Sequence, residues 1–92
     1  MNENDFEAEL MADGYTEIAI QRFEPRPDKG EHRHTYAIRG LVLDGSFTIT
    51  QDDQSTTYRT GQVFSVASGH THVESVGSEG ARVLTGRKYA AI

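Results

Sequence analysis

The hydrophobic pattern changes its period once along the chain. Phe6 and Leu10 stand at i and i+4, which predicts one apolar face of a short helix. Asn4 or Asp5 would cap it, early acids would suit its positive end, and it would run to about Met11. Asp13-Gly14 stops it. The pattern then alternates: Ile18 and Ile20 share a face of a strand over 15–24, which Pro25-Arg26-Pro27 closes. A long extended stretch over 31–43 ends at Asp44-Gly45, a dipeptide that favours a tight hairpin, and resumes over 46–50 with Phe47 and Ile49 on one face. A polar turn over 51–55 leads to strands over 56–59, 62–66, 71–76 and 81–87, with turns at Thr60-Gly61, Ser68-Gly69 and 77–80. Seven or eight short strands with no helix between them predict an all-β antiparallel sandwich or small barrel rather than parallel βαβ units.

A chain of 92 residues fills one hydrophobic core. It reads as an acidic helical segment over 1–14 and a single β-barrel domain over 15–92. Charged residues make up 25% and there are two prolines, which is not the composition of a disordered chain. With no cysteine, disulfides and thiolate chemistry are excluded. No segment approaches the ~20 apolar residues of a membrane span, and the acidic start lacks the basic and apolar regions of a signal peptide. The expectation is a soluble, cytoplasmic protein without a membrane partner. The formal net charge is −5, and the nine basic residues are scattered from Arg22 to Lys88, which argues against a nucleic-acid partner. Glu3, Asp5, Glu7, Glu9 and Asp13 precede every basic residue and read as a solvated helix face.

All four histidines fall in two His-x-His pairs, His32-Arg33-His34 and His70-Thr71-His72. Residues i and i+2 of a strand share a face about 6.6 Å apart, so two imidazoles so spaced can converge on one ion, and a second pair on another strand can complete its coordination. Imidazole suits divalent transition metals such as zinc, iron, nickel, copper, cobalt or manganese, whereas calcium and magnesium prefer oxygen. The alternative reading is a set of surface histidines at a strand edge.

The residues around these pairs resemble the cupin family. His32-Arg33-His34, three residues, Ile38, six residues and Gly45 follow the first cupin motif; Gly61, five residues, Ala67-Ser68-Gly69, two residues, His72, three residues and Val76 follow the second. The resemblance implies a double-stranded β-helix, the jelly-roll barrel, with a metal inside it held by His32, His34 and His72. Three positions depart from the motifs: Ile38 stands where the family has a glutamate ligand, Ala67 where it has proline, and Val76 where it has asparagine. Glu74, two after His72, shares its face on a regular strand. It is a candidate fourth ligand, a hydrogen-bond partner for a ligand imidazole, or a solvated carboxylate. Tyr36 and His70 are further candidates for the same roles, with Tyr36 also readable as a core aromatic.

Several functions remain open on this reading. Three histidines leave coordination positions for a small-molecule substrate, so a metal-dependent enzyme is one expectation. A non-catalytic small-ligand-binding module is another, and a structural cupin whose metal only stabilises the fold is a third. No Gly-x-Gly-x-x-Gly, P-loop or nucleophile elbow is present, leaving phosphoryl and acyl transfer without support. Arg39 falls on the face opposite His34 and reads as a surface or interface residue. A homodimer is expected from the family resemblance, with the apolar set Ala37, Leu41 and Leu43 as its candidate surface.

Overall fold

The computed structural model describes residues 1–27 and 30–90. Helix α1 spans Glu3–Ala12, and strands follow as β1 Thr16–Phe23, β2 Tyr36–Gln51, β3 Gln54–Arg59, β4 Val63–Val66 and β5 Val73–Tyr89. The chain is mostly β and antiparallel, with one short N-terminal helix, as the alternation predicts. The seven or eight short strands expected are five among the described residues, because two long strands each run through a predicted turn.

β2 and β5 pair along nearly their whole length, from Tyr36 opposite Tyr89 to Thr50 opposite Val73. Asp44-Gly45 is therefore no hairpin. The register instead shifts between Val42 and Asp44 and again between Gly45 and Phe47, and such bulges bend and twist a strand without reversing it. Gly45 has φ +76° and approaches β5 so closely that a Cβ there would lie 1.9 Å from the Gly80 carbonyl oxygen. The glycine answers a close approach of two backbones as well as a positive φ. The true hairpin comes later: Gln51 pairs with Gln54, and Asp52 and Asp53 between them both have positive φ, as a two-residue hairpin turn requires.

One edge of β2 carries β4 along Ile38–Leu41 and then β3 along Ser46–Gln51. The outer edge of β5 carries β1 opposite 81–87 and, beyond it, two isolated bridges, Arg26 with Val76 and His32 with His72. Those bridges bring the first histidine pair to the second.

Two apolar layers form on opposite faces of this sheet. Val42 is paired with Val83 and Leu41 with Leu84, and alternation sends the two pairs to different sides. Val42 and Val83 join Phe47, Ile49, Phe64, Val66, Val76 and Ala81 inside the curved sheet. Leu41 and Leu84 pack under Phe6 and Leu10 of α1. Leu41 is thus 1% exposed, and Leu43 packs against the same cluster. The helix begins two or three residues earlier than expected: Asn2 is its cap, accepting from the Asp5 N–H at 2.8 Å, and Asn2 Nδ2 donates back to the Asp5 carboxylate at 3.0 Å. Its acidic face is only partly solvated, since Glu9 and Asp13 each lie 3.6 Å from Arg39, whose guanidinium sits over the Phe6 ring.

Candidate metal centre

The backbone places the histidines before any side chain acts. His32 N–H donates to the His72 carbonyl at 3.0 Å and His72 N–H to the His32 carbonyl at 2.9 Å, so the two residues are direct cross-strand partners. Directly opposed residues project to the same face. Gly69 N–H donates to the His34 carbonyl at 2.8 Å and continues the pairing. The three rings gather, with centroids 4.3 Å apart for His32 and His72, 5.1 Å for His32 and His34, and 5.2 Å for His34 and His72. His72 is 1% exposed, and the other two are half-buried.

Glu74 enters this group from β5. One carboxylate oxygen, Oε2, lies 2.9 Å from His32 Nε2 and 2.9 Å from His72 Nε2. One ligand-type atom from each of His32, His34, His72 and Glu74 lies within 4.8 Å of every other. Two ligands held about 2.1 Å from one ion at a right angle are roughly 3.0 Å apart, so the 2.9 Å separations already suit neighbouring positions around a transition metal.

The opposite ends of the rings are equally informative. His72 Nδ1 lies 3.0 Å from the His70 carbonyl, and His32 Nδ1 lies 3.4 Å from the Gly30 carbonyl. Each ring therefore faces an oxygen acceptor at both nitrogens, although a neutral imidazole has only one N–H to give. Donation from Nδ1 to the carbonyl leaves the Nε2 lone pair aimed at a carboxylate, an arrangement that a cation between them satisfies. Burial and the neighbouring His72 and His32 hold the His34 pKa below its usual value, with Glu74 opposing. Burial raises the Glu74 carboxyl pKa, but hydrogen bonds from His72 and His32 outweigh it, and the net shift is downward. Three imidazoles facing an ionised carboxylate form a donor set ready for a divalent ion.

The cupin domain family matches residues 19–86 of the chain. The chain belongs to the cupin family. Among solved structures this cupin is similar to a protein of unknown function from Rhizobium leguminosarum, at 19% identity and TM-score 0.73 over 79% of this chain and 69% of that one. It is likewise similar to a cupin-2 domain protein from Shewanella frigidimarina, at 18% identity and TM-score 0.65, covering 77% and 68% of the two chains. A third likeness is to the Clostridium difficile EutQ protein, at 17% identity and TM-score 0.68; it covers 82% of this chain but only 57% of EutQ. At these identities the likeness is one of fold. No curated protein sequence matches the chain.

The departures from the cupin motifs now have places. Ile38, at the family's glutamate position, packs against the inner core. Glu74 instead supplies a carboxylate, from the strand of the second motif. Tyr36 stacks on His34 at 4.8 Å with ring planes 16° apart, and the Arg87 guanidinium lies over the Tyr36 ring at 4.4 Å. The Tyr36 ring thus packs flat against the His34 ring. His70 is not part of the donor group, and its Nε2 lies 3.3 Å from Asp52 Oδ2. It sits in a turn after Gly69, closed by a bond from His70 N–H to the Ala67 carbonyl, where strand alternation does not apply. One residue near the centre went unnoticed in the pattern: Arg26, whose Nη2 is 3.7 Å from Glu74 Oε1. Between two prolines it reads as a strand terminator, and only its bridge to Val76 turns it toward Glu74.

Proposed function

We propose that this cupin holds one divalent transition-metal ion through His32, His34, His72 and Glu74, and that the ion's remaining positions take a small molecule. The observation that supports this reading is the shared carboxylate oxygen of Glu74, faced by two Nε2 atoms whose partner nitrogens already face backbone carbonyls. A cation resolves that conflict.

A bound ion would supply Lewis acidity to a small molecule beside it. The protein's own part is orientation: the carbonyls fix which nitrogen of His32 and His72 is free, Tyr36 fixes the plane of His34, and Glu74 balances charge. Metal-free protein titrated with Zn²⁺ by calorimetry should take up one ion per chain and release protons as the ring and carboxylate sites fill. Uptake that is unchanged in His32→Ala and His72→Ala variants would remove the assignment.

A further inference from the structure

We infer that Arg26 is a positioning residue that holds Glu74 toward the ion, an inference that rests on the metal reading above. Arg26 and Val76 exchange backbone hydrogen bonds of 3.1 and 2.9 Å, so their side chains project to the same face. Glu74 lies two residues before Val76 on that strand, and the Arg26 guanidinium extends over the Phe23 ring toward it, with Nη2 3.7 Å from Oε1.

The guanidinium is left incomplete. Nε and Nη2 of Arg26 are both buried and have no hydrogen-bond partner among the described residues. Buried donors without acceptors are unfavourable, and native structures rarely leave them so. The nearest anion is Glu74, whose two oxygens face different neighbours: Oε2 lies 2.9 Å from Nε2 of both His32 and His72, while Oε1 stands 3.7 Å from Arg26. The unmet donors and the free oxygen are therefore adjacent.

With an ion held by His32 and His72, Glu74 Oε1 would accept from the Arg26 fork while Oε2 stayed turned toward the histidines. Nε and Nη2 lie on one edge of a planar guanidinium, the edge that binds carboxylates, and lysine does not reproduce that geometry. Arg26 also brings a second positive charge near the cation. A bystander arginine would repel the ion and weaken its binding. A positioning arginine strengthens it through Glu74, so the two roles predict opposite signs.

Cobalt(II) is the probe, because its visible absorption reports both occupancy and ligand set. The metal-free full chain and its Arg26→Met, Arg26→Lys, Glu74→Gln and Arg26→Met/Glu74→Gln variants are titrated with Co²⁺, with circular dichroism as the folding control. Arg26→Met is expected to weaken Co²⁺ binding about 10-fold and to shift the absorption band, and Arg26→Lys to recover part of that loss. In the Glu74→Gln background, Arg26→Met should add no further loss. Tighter binding in Arg26→Met, or an equal loss in both backgrounds, overturns the inference. Arg26→Gln carries the same expectation where Arg26→Met does not fold. Failure of the unaltered chain to bind Co²⁺ refutes the metal reading itself, a result distinct from either of these.

Discussion

His72 stands just before β5 and Glu74 two residues later within it, and the Nε2 of one lies 2.9 Å from the Oε2 of the other. The same carboxylate oxygen receives His32 from the neighbouring edge at 2.9 Å. A regular strand puts i and i+2 on one face, and the His32–His72 bridge brings the second imidazole to it. The donor group is thus a product of backbone pairing, with Glu74 at its centre.

Glu74→Gln keeps the side chain's size and removes its charge. Zn²⁺ affinity is expected to fall about 10- to 100-fold, read by calorimetry, with the metal-free fold retained. Unchanged affinity would mean that Glu74 has no part in the site.

Acid should destabilise the metal-free protein in two steps. His34 has a lowered pKa in the folded chain, so the unfolded chain takes up its proton first, and stability declines as pH falls below about 6.5. Glu74 is also lowered, and its contribution is present above about pH 4.3 and lost as pH falls through its folded value. Urea unfolding at about pH 8, 6, 4 and 3 checks this ordering. Rising stability toward acid would contradict both shifts.

The helix is expected to be part of the fold rather than an appendage. Phe6 is fully buried against Leu41 and Leu84, and Phe6→Ala should destabilise by about 3 to 5 kcal/mol. Thermal unfolding measures it, and a loss below about 1 kcal/mol would show that α1 does not seal that face.

Much of this was legible in the residue pattern, because alternation and i+2 spacing are local properties. The two His-x-His pairs stand out by spacing, the resemblance to the cupin motifs picks His32, His34 and His72 from them, and Glu74 stands out by its distance from His72. What spacing misses is pairing between distant segments. Asp44-Gly45 signals a positive φ, but whether the chain turns back or bulges depends on Gly80, which presses against Gly45 from β5. His70 has the spacing of a ligand, yet a turn rotates it toward Asp52. Arg26 carries no local signal, since its place beside Glu74 follows from a bridge to Val76. Leu41 alternates as an outward residue and is outward from the inner core; its cover is α1, which the strand pattern does not show.

Gly45 offers a test of that reading. A Cβ at this position would lie 1.9 Å from a backbone oxygen, at φ +76°, so Gly45→Ala should lower stability by more than about 2 kcal/mol. A hairpin glycine without that contact would lose only the left-handed penalty. Denaturant midpoints of the two proteins distinguish them.

Anomalous X-ray scattering from crystals of the zinc-loaded protein, collected across the zinc absorption edge, tests the central claim most directly. The account predicts one strong peak per chain, about 2.0 to 2.2 Å from His32 Nε2, His72 Nε2, a ring nitrogen of His34 and a carboxylate oxygen of Glu74. No peak among these residues, or a peak held by His70 and Asp52 instead, would contradict it.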